Sequence, residues 1–157
     1  MKTVTYAKTT FIFKRFKSSG GDQMKKKVLF VCTHNSARSQ MAEGILNEFH
    51  GDRYEGYSAG VIPTKVNPYV VKAMAEIGID ISGNRSKSIE EFREEKFNYV
   101  VTVCDSAREA CPFFPGEKII HQAFEDPSQF RGSEEEMLKQ VRKVRNEIKE
   151  WIRETFA

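Results

Sequence analysis

The sequence predicts an α/β fold built on a parallel sheet with helices on both faces. Three observations predict it. Val28-Leu29-Phe30-Val31 and Tyr99-Val100-Val101-Thr102-Val103 are short, continuous apolar runs, as strands buried on both faces require. Segments with helical spacing alternate with such runs along the chain. Each strong run is followed at once by a cysteine, Cys32 and Cys104. The two thiols therefore belong at the same end of the sheet, the carboxyl end, where such sheets bind ligands.

The elements follow in order. Residues 1–23 read as an extension, flexible or non-native, because Ser18-Ser19-Gly20-Gly21-Asp22-Gln23 forms a flexible joint directly before Met24. Within it, residues 9–13 offer an edge strand, with disorder as the alternative. Residues 24–157 are expected to form a single catalytic domain, long enough to bury one sizeable core. Residues 39–49 read as a helix with Met41, Ile45 and Leu46 or Phe49 on one side, and residues 54–58 as a weaker strand. Asn67-Pro68 opens a second helix that carries Val70, Val71, Met74 and Ile77 and ends at Gly78. Residues 118–121 are a short strand. The last segment, 133–156, sets Met137, Val141, Val144, Ile148, Trp151 and Ile152 on one stripe, and Ser133 with Glu136 reads as a capping box.

Composition excludes several function classes. The net charge of +3 is concentrated in residues 1–23, where five Lys/Arg face Asp22 alone, so the rest of the chain is near −1. Binding to nucleic acid by charge is not expected. The longest apolar run of the first segment, Phe11-Ile12-Phe13, is too short for a signal peptide or a membrane span. A cytoplasmic protein is expected, with no membrane partner and acting as a monomer. Three cysteines in a reducing compartment argue against a static disulfide framework.

The stretch Cys32-Thr33-His34-Asn35-Ser36-Ala37-Arg38-Ser39 joins a strand to a helix. Such a loop can turn its N–H groups inward and hold an oxyanion at the helix N-terminus. Cys32 gains from the same donors, since the helix dipole and Arg38 favour a thiolate. Arg38 can bind two oxygens with one planar fork, and Ser39 can hydrogen-bond the sulfur.

Cys32 to Arg38 with Ser39, the following Ser39-Gln40-Met41-Ala42-Glu43-Gly44, Tyr57-Ser58-Ala59-Gly60 and Asp126-Pro127 together resemble the low-molecular-weight protein tyrosine phosphatases. Within that fold, residues 31–44 and 72–82 and the pair Cys104/Cys111 are most similar to the thioredoxin-coupled arsenate reductases. The resemblance spans about residues 25–156. It implies a three-layer sandwich about a central, mostly four-stranded parallel sheet, with Thr33 to Arg38 binding the oxyanion and Asp126 as general acid. It also implies a relay. Cys32 attacks arsenic, Cys104 attacks Cys32 and releases arsenite, and Cys111 moves the disulfide outward for thioredoxin. Thioredoxin is then the reductant, and no bound cofactor is expected.

Other assignments stand beside this one. A phosphatase would need only Cys32, Arg38 and Asp126, and a non-catalytic oxyanion-binding or redox-sensing module could use the same loop. Zinc held by the cysteines with His34 or His121 is disfavoured by the lack of a C-x2-C pair. Relatives of this kind carry a potassium site that Asn35, Glu43 and Ser58 would match, but Lys87 stands where an aspartate usually completes it. A lysine cannot ligate a cation, which leaves two readings: its ammonium pairs with Glu43 in potassium's place, or it is a solvated lysine. Residues 104–111 are open to two readings, a partly helical segment that unwinds on oxidation or a loop that already holds the thiols close.

Overall fold

The computed structural model describes residues 24–104 and 114–157. The expectations for the extension, for Cys111 and for the shape of the Cys104–Cys111 segment lie outside the described residues. Strand β1 (Lys26–Cys32) leads into helix α1 (Arg38–His50), strand β2 (Tyr54–Gly60) and helix α2 (Pro68–Ala75). A 3-10 turn (Ile89–Phe92), strand β3 (Tyr99–Thr102), strand β4 (Lys118–His121), a second 3-10 turn (Pro127–Gln129) and helix α3 (Glu134–Thr155) complete the order.

The sheet has four strands in the order β2-β1-β3-β4, every neighbouring pair parallel. β1 is central because its apolar run can be buried on both sides, and Val28, Leu29, Phe30 and Val31 are wholly buried. Alternate residues serve opposite faces. Val28 and Phe30 join Met41, Ile45 and Leu46 of α1, Val70 and Met74 of α2, and Val141, Val144, Ile148 and Ile152 of α3. Leu29 and Val31 pack instead with Ala59, Ile89, Phe97, Val100 and Phe114. Among the described residues the three α-helices thus share one face. The other is covered by the 3-10 turn and by edge-to-face rings, Tyr57 with Phe97 at 5.6 Å and Phe97 with Phe114 at 6.0 Å. Aromatic side chains carry enough apolar area to close that face without a long helix.

Several element ends differ from the sequence reading, and two of them have clear local reasons. β1 starts earlier than its apolar run, since Lys26 N–H bonds Arg53 O and Lys27 N–H bonds Asn98 Oδ1 at 2.8 Å. α2 stops at Ala75, yet Gly78 still terminates it. Gly78 takes a left-handed φ of 82°, and the N–H groups of Gly78 and Ile79 bond back to Ala75 and Met74.

The capping box at α3 forms as the sequence predicts: Ser133 Oγ accepts Glu136 N–H, and Glu136 Oε1 accepts Ser133 N–H. These bonds hold the Glu136 carboxyl below its ordinary value. A lowered carboxylate contributes stability above its unfolded pKa and loses it as pH falls through the folded one. Ser133→Ala is expected to lower unfolding stability by about 1 kcal/mol at neutral pH. Urea denaturation should show this loss at neutral and acidic pH alike, because the lost acceptor is a hydroxyl. The stability lost in Glu136→Gln should instead appear at neutral pH and fade as pH falls through the Glu136 carboxyl.

Candidate oxyanion site

Cys32 is the last residue of β1, and the chain turns through residues 33–37 before α1 begins at Arg38. The turn is tight. Asn35 alone among the described non-glycine residues has positive φ, 51°, a conformation that asparagine tolerates best. Gly60, at the end of β2, makes room for it. A Cβ there would lie 2.7 Å from Asn35 N and 2.8 Å from Thr33 O. The loop is tied outward to the following segment by Ile62 N–H to Thr33 O (2.8 Å), Thr64 N–H to His34 O and Asn67 N–H to Ser36 O. His34 Nδ1 donates to Ile62 O at 2.9 Å. With those carbonyls engaged outside, the Asn35 N–H turns inward to Cys32 Sγ at 3.2 Å.

Ser39 Oγ lies 2.8 Å from the same sulfur. Arg38 is buried at 3% exposure and donates through Nη1 to Phe124 O at 3.3 Å. Its Nη2 stands 3.6 Å from Asp126 Oδ2. Asp126 Oδ1 accepts Ser128 N–H and caps the second 3-10 turn, which fixes the carboxyl at the mouth. A cavity of about 100 Å³ lies between Cys32, Ala37, Arg38, Thr64 and Asp126. At about 30 Å³ per water it has room for roughly three waters or one tetrahedral oxyanion. The geometry therefore gathers Cys32, Arg38 and Asp126 at one anion-sized cavity, with Ser39 buried against the sulfur.

The second cysteine stands beside this loop. Val31 pairs with Thr102 in parallel register, and Val103 N–H bonds Val31 O at 3.0 Å. Cys104 follows, wholly buried, at the end of the sheet where Cys32 lies. Cys104 is disulfide-bonded while Cys32 is a free thiol.

Behind the loop a polar cluster holds Asn35. Its Oδ1 accepts Lys87 N–H at 2.7 Å and Gln40 Nε2 at 2.9 Å, and its backbone oxygen accepts Ser86 Oγ. Lys87 Nζ stands 3.4 Å from both Glu43 Oε1 and Ser58 Oγ, and Ser58 Oγ donates to Glu43. The donors present do not fit a potassium ion, because an ammonium already faces the Glu43 carboxylate and the Ser58 hydroxyl. No group of three or more His, Cys, Asp or Glu among the described residues is arranged to hold a metal. No helix among them is long and apolar enough to cross a membrane.

Sequence reasoning missed Gln40, Thr64, Asn67 and Ser128. Gln40 directly follows the Arg-Ser pair, but a glutamine in the first turn of a helix carries no signal of burial. Thr64 and Ser128 come from distant loops with no motif of their own, and Asn67 reads in sequence as the cap of α2 rather than as a lining residue.

The family model for low molecular weight phosphotyrosine protein phosphatase matches residues 27–157, and the chain belongs to that family. It is 46% identical over 134 residues to an arsenate reductase of Halalkalibacterium halodurans, covering 85% of this chain and 96% of that one. Among solved structures it resembles an arsenate reductase in the phosphate binding state, with a TM-score of 0.70 and 33% identity over 82% of this chain and 95% of that one. A Corynebacterium glutamicum thioredoxin-dependent arsenate reductase matches with a TM-score of 0.55 and 27% identity, over 82% of this chain and 62% of that one.

Proposed function

We propose that this protein reduces arsenate to arsenite by a thiol relay and draws its electrons from thioredoxin. The observation that carries this reading is Cys104, a second buried, disulfide-bonded cysteine just beyond the strand that pairs with the Cys32 strand. A phosphatase has no use for it. The names of the relatives support the same reading.

In the proposed cycle the oxyanion sits in the 33–38 loop with two oxygens on Arg38. The Cys32 thiolate attacks As(V), and one oxygen leaves as water, forming a sulfur–arsenic bond. Cys104 attacks Cys32 Sγ; the sulfur–arsenic bond breaks with its electron pair going to arsenic, which departs as As(III). The two electrons come from two thiols, now a Cys32–Cys104 disulfide. Cys111 displaces Cys32 from Cys104, restoring the Cys32 thiolate. Dithiol thioredoxin then reduces the Cys104–Cys111 disulfide.

A residual phosphatase activity is favoured by one contact, the Asp126 carboxyl 3.6 Å from Arg38. That carboxyl lines the same cavity as Cys32, and in this reading it gives a proton to an ester's leaving oxygen. Asp126→Asn is expected to slow aryl phosphate hydrolysis at least about a hundredfold and arsenate reduction much less. Arsenate-dependent oxidation of thioredoxin, run beside aryl phosphate hydrolysis, tests the assignment. Hydrolysis without any arsenate-dependent oxidation would leave the phosphatase reading.

Lys87 supplies in this reading the charge that a potassium ion would bring. Replacing sodium with potassium should leave melting temperature and turnover unchanged. Lys87→Asp should make both respond to potassium. A potassium-specific stabilisation of the unaltered protein would contradict the substitution of ammonium for metal.

A further inference from the structure

Gln40 is wholly buried although it lies in the first turn of α1. A buried amide must satisfy its donors and acceptor, and the way it does so has a direction. Its Nε2 donates to Arg85 O at 3.0 Å and to Asn35 Oδ1 at 2.9 Å, and also approaches Asn35 O at 3.3 Å. Its Oε1 accepts Asn84 Nδ2 at 3.0 Å. A backbone carbonyl only accepts, so Arg85 O fixes which end of the Gln40 amide faces the loop.

The direction passes to Asn35. Asn35 Oδ1 receives the Gln40 donor and the Lys87 N–H, which can only donate. Its Nδ2 must therefore point the other way, and it donates to Ser39 Oγ at 2.8 Å. With Ser39 Oγ accepting there, the hydroxyl proton is left for Cys32 Sγ at 2.8 Å. The sulfur then receives two donors, this hydroxyl and the Asn35 N–H.

We infer that Gln40 is a positioning residue: through Asn35 it aims the Ser39 proton at Cys32 and so keeps two hydrogen-bond donors on the attacking sulfur. The inference rests on Cys32 being the attacking group of the proposed reaction, not on arsenate being the substrate.

The test is the rate at which iodoacetamide alkylates Cys32 in the reduced full chain at neutral pH, with the modified peptide identified by mass. Gln40→Glu preserves size but sets an acceptor against Asn35 Oδ1, which draws the Asn35 donor away from Ser39. Alkylation should fall about tenfold or more, the scale of one hydrogen bond to a charged group. Gln40→Met removes the donor without adding an acceptor and leaves Lys87 N–H to hold Asn35, so its loss should be smaller. Ser39→Ala should slow alkylation by itself, and on that background neither Gln40 substitution should slow it further.

A general loss of structure would instead add to the Ser39→Ala effect. Losses of equal size on both backgrounds, or a larger loss for Gln40→Met than for Gln40→Glu, would overturn the inference. Thermal unfolding of each variant checks the fold. If Gln40→Glu does not fold, the cycle is completed with Gln40→Met. Because iodoacetamide needs no arsenate, a wrong substrate assignment would leave this result unchanged.

Discussion

Cys32→Ser is expected to abolish arsenate reduction and aryl phosphate hydrolysis together, each by at least about a thousandfold. Both reactions begin with the same sulfur, the one free thiol among the described cysteines. A serine hydroxyl in its place fits the Asn35 and Ser39 contacts but does not ionise near neutral pH. Arg38→Lys should follow closely, at about 10² to 10³ in kcat/KM. A lysine retains the charge, but it cannot hold two oxygens in one plane, nor reach Phe124 O while doing so. Steady-state rates with arsenate plus thioredoxin, and with an aryl phosphate, check both variants. Substantial reductase turnover in Cys32→Ser would place the nucleophile elsewhere.

Cys104→Ser and Cys111→Ser should separate the two activities. Each is expected to stop multiple-turnover reduction while leaving most of the aryl phosphate hydrolysis, because hydrolysis needs water rather than a second thiol. The Cys104 substitution lies at a buried position just after β3, and a serine there loses little volume, so the anion loop should keep its shape. An isolated hydroxyl in that position costs about 1 to 3 kcal/mol if it finds no partner. Hydrolysis by the variant is therefore measured below its own melting transition. Equal loss of both activities in either variant would speak against a relay.

Much of this molecule was legible in its sequence. The apolar runs before Cys32 and Cys104 foretold two parallel strands and, from them, thiols at one end of the sheet. Both follow from burial, which a run of Val, Leu and Phe declares openly. Gly78 and the Ser133/Glu136 pair marked helix ends through local chemistry that needs no partner from afar. The second sheet face was less legible. It is closed by Tyr57, Phe92, Phe97 and Phe114, which share no periodicity because they come from separate segments. Lys87 could be suspected of facing Glu43, and its ammonium is 3.4 Å from that carboxylate. Gln40 could not be suspected. Its role depends on which way three amides point, and that is decided by the Arg85 carbonyl and the Lys87 N–H, both more than forty residues away.

The relay is tested most directly by trapping its middle. Reduced Cys111→Ser protein, given arsenate without thioredoxin, should release one arsenite per chain and stop. Mass mapping should then find a Cys32–Cys104 disulfide in about the same amount. Arsenite release without that disulfide, or the disulfide forming equally without arsenate, would contradict the account.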